Sequence, residues 1–248
     1  KTAGEADVLV MLDLSGSMGA AARGAPPPID TLRDALPCLS QLDQSTVKMH
    51  WAFGTFNAEA SMMGDGGVAG YAAWQPLTEA TARNIGLSLK TYGRTNLEAA
   101  LVVGLDALRD RREAEDLPPA HVQHLVIFTD GRPTEGEDQP HRLKSRFADR
   151  LAAVGHGDCA VLVHVLGLGG DLDRDVIKAV TADTRGITAF ARDSPQLAEA
   201  FAKLFAPLTK TAAALVLKIA DAREDGVRYE RHGLLTDATR RVLTTLDI

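Results

Sequence analysis

The sequence predicts an α/β domain: a doubly wound, Rossmann-like, mostly parallel sheet with helices on both faces. Three observations carry this. Short runs dominated by apolar residues at Val8–Leu12, Val122–Thr129 and Cys159–Leu166 are too brief for helices and read as strands buried on both faces. Longer stretches between them place Leu32, Leu36 and Leu39, and then Leu97, Leu101, Leu105 and Leu108, at helical spacing. The two kinds alternate, as they do where crossover helices join parallel strands.

In order, the strand Val8–Leu12 stops at Asp13, and a loop of small residues and proline runs from Ala20 to Pro28. Pro26–Pro28 are placed to open a helix from about Ile29 to Leu42, with a kink at Pro37. Val47–Phe56 alternates as a strand does. Asn57–Ala73 is rich in Gly, Ala and Met without a period and reads as a long surface loop. A short strand at Trp74–Leu77 and a helix over Glu79–Leu89 follow. The next helix, Leu97–Arg112, has Asn96 as its cap. The strand ending at Thr129 gives way to an acidic loop, Gly131–Gln139, and then to a helix over His141–Val154. Beyond the strand Cys159–Leu166, a helix over Leu172–Thr184, a strand at Ile187–Ala191 and a helix over Pro195–Leu204 complete the alternation.

The chain's chemistry gathers at the end of the first strand. Asp13-x-Ser15-x-Ser17 offers a carboxylate and two hydroxyls at alternate positions of a turn, with Gly16 and Gly19 relaxing the backbone. Such a set is poor for zinc or copper and suits a hard dication with oxygen ligands, Mg²⁺ before Mn²⁺ or Ca²⁺. At these residues the chain resembles the von Willebrand factor A domain family, whose metal-ion-dependent adhesion site begins with this motif. The family's site also takes a threonine from a second loop and an aspartate at the end of a later strand. Thr95, in Gly93-Arg-Thr-Asn-Leu97, and Asp130, in Phe128-Thr-Asp-Gly131, match those positions.

The resemblance covers about Asp7 to Phe205 and implies a domain over 1–206, with 207–248 as an extension. In that extension Ala212–Ile219 reads as a strand and Asp237–Leu246 as an amphipathic helix. About forty residues cannot build a sandwich alone, which favours an appendage over the start of a neighbouring module. The resemblance further implies that Ser15, Ser17 and Thr95 supply hydroxyls directly to the metal. Asp13 and Asp130 supply charge directly or through waters, and a partner protein's Glu or Asp fills the open position. Neutral hydroxyls keep the ion electrophilic, so this is a binding device and not an enzyme. Members of this family suggest a scaffold in a multiprotein complex, alongside an AAA-type ATPase, kinase or phosphatase.

Each residue also has a plainer role available. Ser15 and Ser17 suit a turn or cap, Thr95 a helix cap, and Asp130-Gly131 a turn. His164 reads as a satisfied core histidine, while His121 and His124 lack the further ligands a zinc site needs. Met62 and Met63 fill gaps under a loop or make a partner surface. The acidic run Glu135–Asp138 is expected to screen the site against highly acidic partners. The rival class is a serine hydrolase with Ser17 as nucleophile and Asp130 and His164 as its triad partners. Ser15 stands where the nucleophile elbow needs glycine, and His164 falls within a strand.

Composition limits the remaining classes. The 248 residues are 45% hydrophobic and 24% charged, ordinary for a globular domain. A net charge of −6 gives no support to a nucleic-acid partner. Cys38 and Cys159 make no disulfide framework and read as buried thiols. With no Asn-x-Ser/Thr sequon and no apolar run of about 20 residues, the expectation is a cytoplasmic protein without membrane insertion.

Overall fold

The computed structural model describes residues 4–21, 26–40, 47–64, 71–118, 121–131, 133–154, 161–168, 173–181, 184, 186–191, 196–197, 200 and 203–204. The strands are β1 (Gly4–Asp13), β2 (Val47–Phe56), β3 (Ala60–Met62), β4 (Val122–Thr129), β5 (Val161–Leu168) and β6 (Thr188–Ala191). The helices are α1 (Pro28–Leu39), α2 (Glu79–Ser88), α3 (Leu97–Ala114), α4 (Pro140–Val154) and α5 (Arg174–Thr181). The six strands lie in the order β3-β2-β1-β4-β5-β6. Every neighbouring pair is parallel except β2 with β3. Chain order runs outward in both directions from β1, so the topological switch falls between β1 and β4, at whose carboxyl ends ligands settle in such sheets.

Side chains of a strand alternate between faces, and here each face feeds its own core. Val8, Val10 and Leu12 pack with Ile29, Leu32 and Leu36 of α1 and Ile85 of α2. Leu9 and Met11 pack on the other side with Leu101 and Leu105 of α3, Leu143 and Phe147 of α4, and Val176 of α5. Burying each such side chain contributes roughly 1.5–3 kcal/mol, which is why the central strand tolerates no polar residue between Val8 and Leu12. A Cβ on Gly104 of α3 would fall 2.7 Å from Leu125 Cδ1, so a larger residue there would oblige the Leu125 side chain of β4 to move.

Local chemistry sets the helix starts. Thr78 Oγ1 accepts the Thr81 amide at 3.1 Å, and Asn96 Oδ1 accepts that of Ala99 at 2.9 Å, the cap expected of it. Pro28 opens α1 and Pro37 sits inside its last turn.

Two expectations are corrected. Asn57–Ala73 is not all surface loop, because β3 pairs antiparallel with Gly54–Phe56 and Tyr71 is buried, accepting the Phe53 amide at 2.7 Å. Three half-exposed residues show no period to read. Trp74–Leu77 forms no strand: Trp74 turns into the left-handed region at φ +61°, leaving one isolated bridge between Trp51 and Gln75. The described residues between Gln196 and Leu204 are helical. Cys159, Leu172 and the whole extension 207–248 lie outside the described residues. Among the described residues no helix is long and apolar enough to cross a membrane.

At the amino-terminal pole of the sheet, Asp7 is wholly buried, with Oδ2 lying 3.2 Å from His121 Nε2 and 3.6 Å from Arg111 Nε. Gln123 Nε2 donates to the same oxygen at 3.3 Å and its Oε1 accepts from Arg112 at 3.0 Å. Burial raises the Asp7 carboxyl, but His121, Arg111 and Gln123 outweigh it and hold it below the usual range.

Candidate metal centre

Asp13 closes β1 and is in register with Phe56 of β2, while Phe128 of β4 lies opposite Leu12. Two strand ends thus carry Asp13 and Asp130 to one edge of the sheet. Between Asp13 and α1, the chain makes a 3-10 turn at Gly16–Gly19, anchored by the fully buried Met18. That anchor leaves Ser17 exposed beside Asp130 and turns Ser15 inward, 1% exposed.

The five residues expected at the site arrive together. The Ser15 amide donates to Asp13 Oδ1 at 2.7 Å, and the Ser15 and Ser17 hydroxyl oxygens are 3.1 Å apart. Ser17 Oγ donates to Asp130 Oδ1 at 2.9 Å. Thr95 belongs to the same cluster through Gly131, where a Cβ would stand 3.4 Å from Thr95 Oγ1 and 3.5 Å from Ser17 Oγ. Glycine keeps that space open.

Backbone bonds fasten the three loops. The Gly16 amide donates to Gly93 O at 3.1 Å and the Tyr92 amide to Leu14 O at 2.7 Å. Thr95 is clamped from the loop after β4: its carbonyl accepts the Thr134 and Glu135 amides at 2.8 and 3.1 Å, and its amide donates to Thr134 Oγ1 at 2.9 Å.

Two contributors were missed in the sequence. Thr129 Oγ1 donates to Asp13 Oδ2 at 2.6 Å, tying β4 to β1 beneath the site, and Thr134 positions Thr95. The available signal for Thr129 was a hydroxyl directly after the apolar run Leu125–Phe128.

Electrostatics mark the cluster as short of positive charge. Burial pushes the Asp13 carboxyl up despite bonds from Thr129 and Ser15. Burial and then the neighbouring Asp13 push Asp130 up to about 6. Among the described residues no group of three or more His, Cys, Asp or Glu is placed to hold a metal ion, and the donor set here is two carboxylates and three hydroxyls. Oxygen donors adjacent in a Mg²⁺ octahedron with bonds of 2.0–2.1 Å lie about 2.9 Å apart. The Ser15–Ser17 and Ser17–Asp130 separations, 3.1 and 2.9 Å, match that spacing, so the residues fit a hard dication.

The other candidates go elsewhere. His164 Nδ1 accepts the Ile187 amide at 2.9 Å and its Nε2 lies 3.0 Å from His124 Nδ1, so neither nitrogen serves Ser17 and no triad is assembled. Glu135 pairs with Arg94 at 3.3 Å and Glu137 lies 4.0 Å from Arg142, so the acidic loop carries its own counter-charges. Met62 and Met63 pack partly buried, one against each core.

No family model matches the chain. It is 24% identical over 188 residues to human inter-alpha-trypsin inhibitor heavy chain H4, an alignment covering 73% of this chain and 18% of that protein. Among solved structures, a von Willebrand factor type A protein from Catenulispora acidiphila superposes with a TM-score of 0.58 at 16% identity, over 88% of this chain and 43% of the other. The manganese-loaded TRAP protein of Plasmodium vivax gives 0.53 at 19%, over 78% and 70%. The chain therefore has the von Willebrand factor A fold and spans less than a fifth of the length of the human relative it matches.

Proposed function

We propose that this domain, built on the von Willebrand factor A fold, is a divalent-cation-dependent protein-interaction module. Asp13, Ser15, Ser17, Thr95 and Asp130 form a complete metal-ion-dependent adhesion site. The observation that carries the reading is the meeting of Ser15, Ser17 and Asp130 at 3.1 and 2.9 Å beside a second buried carboxylate, Asp13.

A bound Mg²⁺ or Mn²⁺ supplies an electrophilic position that an outside carboxylate can fill. The chain's own groups set its character. Ser15, Ser17 and Thr95 offer neutral oxygens, so three of the five donors bring no charge and only the two carboxylates, Asp13 and Asp130, offset that of a dication. Asp13, held by Thr129 and the Ser15 amide, keeps a fixed direction. Asp130 lies half-buried at the rim with Ser17 exposed beside it, which leaves the open side facing solvent and a partner's Glu or Asp. No group among these is set to activate a nucleophile or move a proton, and the role is non-catalytic. The manganese-loaded TRAP structure supports a divalent ion on this fold. The domain serves as a scaffold within a multiprotein assembly, of the kind an AAA-type ATPase, kinase or phosphatase forms.

Calorimetric titration of metal-stripped protein with Mg²⁺ and Mn²⁺, beside Asp13→Ala, tests the reading. Binding in the wild type that disappears in the variant supports it. Absence of binding in the wild type overturns it.

A further inference from the structure

A cleft of about 130 Å³ adjoins the metal centre, lined by Leu14, Thr55, Phe56, Asn57, Glu59 and Tyr92 among others. Its link to the site is direct. Leu14 stands between Asp13 and Ser15, its amide donates to Phe56 O at 2.7 Å, and its carbonyl accepts the Tyr92 amide. The lining is mostly polar and holds one carboxylate, that of Glu59, with no lysine or arginine.

Glu59 is presented by a tight turn. Its amide donates to Asn57 Oδ1 at 3.1 Å, and the Asn57 amide donates back to Glu59 O at 2.8 Å. The side chain is exposed, and no ion pair among the described residues uses it. Most other acidic side chains near the site have arginine partners: Glu135 with Arg94, Glu98 with Arg146. The same cleft is lined by Tyr92, 64% exposed, one of two large apolar side chains so open among the described residues. A carboxylate without an ion-pair partner and an exposed phenol ring lining one polar cleft suit a cation, the carboxylate supplying charge and the ring its negative face.

We propose that this cleft is a specificity subsite for an arginine or lysine lying one or two residues from the partner's metal-binding Glu or Asp. The inference rests on the proposed metal reading, because that carboxylate fixes the register in which the cation reaches Glu59. Leu14, flanked by Asp13 and Ser15, itself lines the cleft, and successive Cα atoms are about 3.8 Å apart, so a residue next to the partner's carboxylate is the one placed to reach it. The domain thereby reads a mixed-charge motif, acidic beside basic, instead of acidity alone.

The test uses a library of capped heptapeptides with a central Glu and all flanking positions varied, selected on wild-type protein, Glu59→Gln and Glu59→Lys in Mg²⁺, with and without chelator. Wild type should enrich Arg or Lys within two residues of Glu by about fivefold, the scale of one exposed charge pair. The enrichment should vanish with Glu59→Gln, turn to acidic residues with Glu59→Lys, and weaken with Tyr92→Ser. Calorimetric Mg²⁺ binding should be unchanged in Glu59→Gln. Mg²⁺-dependent binders without a basic preference, or with one that survives Glu59→Gln, overturn the subsite and leave the metal reading standing. A Glu59-dependent basic preference that persists in chelator overturns the metal reading instead. A selection that returns no Mg²⁺-dependent binder overturns the subsite, and the calorimetry then decides the fate of the centre separately.

Discussion

The Ser17 hydroxyl donates to Asp130 Oδ1 at 2.9 Å, joining residues separated by 113 positions in the chain. This contact closes the candidate centre, and it exists because β1 and β4 are parallel neighbours at the switch point of the sheet. It also leaves Asp130 within the field of Asp13, and the predictions begin there.

Asp130→Asn should raise the melting temperature of the metal-free protein at neutral pH and abolish stabilisation by Mg²⁺. The carboxyl sits at about 6 in the folded chain against 3.8 ordinarily, through burial and Asp13. Folding therefore favours its protonated form. The stability it contributes is present below pH 3.8 and lost as pH rises through about 6, so at pH 7.5 the ionised group is a liability that the amide removes. Metal competes with that proton, and wild-type Mg²⁺ affinity should fall about tenfold per pH unit below about pH 6. Thermal scans of both proteins at pH 7.5, with and without Mg²⁺, check the first half. A metal-free variant melting below the wild type would refute it.

Thr129→Val should lower Mg²⁺ affinity about 10–100-fold, the scale on which groups that orient a ligand act. The lost contact is the 2.6 Å bond from Thr129 Oγ1 to Asp13 Oδ2. Thr129→Ser keeps the hydroxyl and should restore most of the affinity. Equal weakening in Ser and Val, measured by calorimetry, would point to packing in place of orientation.

Gly131→Ala should impair metal binding with little effect on folding. The added methyl would stand 3.4 Å from Thr95 Oγ1 and 3.5 Å from Ser17 Oγ, inside the space between the two hydroxyls, while clashing with no backbone. Comparing urea midpoints with Mg²⁺ titrations separates the two effects. A variant that binds Mg²⁺ as the wild type does would mean that this space is unused.

The buried histidines predict acid sensitivity. Ile187 donates to His164 Nδ1, so the His164 proton sits on Nε2 and points at His124 Nδ1, leaving His124 Nε2 without a partner. Burial lowers His124 to about 4, and burial with the neighbouring His124 lowers His164 to about 3. Both stay neutral when folded and charge when unfolded, so their contribution is complete above pH 6.5 and declines as pH falls towards 4 and 3. By pH 5 the loss is on the order of 2 kcal/mol per histidine. Urea unfolding at pH 7 and pH 5 should show it, and His124→Leu should remove about half of the dependence. Identical pH slopes in the two proteins would defeat the assignment.

How much of this was legible in the sequence depended on the length of each signal. β1 and β4 announce themselves by unbroken apolar runs, Val8–Leu12 and Leu125–Phe128, β2 by its alternation, and α3 by a leucine every three or four residues. β3 is three residues long and half-exposed, so no period had room to appear. The motif singled out Asp13, Ser15, Ser17, Thr95 and Asp130 as candidates, and the fold brings the loops that carry them to one edge of the sheet. Thr129 and Thr134 act through contacts 116 and 39 positions away, which nothing local encodes. The same holds for Asp7, whose polar partners converge on it from β2, α3 and the start of β4.

The loops around the centre are stitched by main-chain bonds, Gly16 to Gly93, Tyr92 to Leu14 and Asn96 to Asn57. Amides and carbonyls are common to almost every residue, so the bond from Tyr92 to Leu14 does not depend on the Tyr92 side chain, whereas Gly93, at φ +78°, is held to glycine. Tyr92 is 64% exposed and holds the loop through its amide, which proline alone would remove. If the proposed reading holds, recognition can be rewritten at an exposed position of the rim while the main-chain bonds that set the geometry of the centre stay in place.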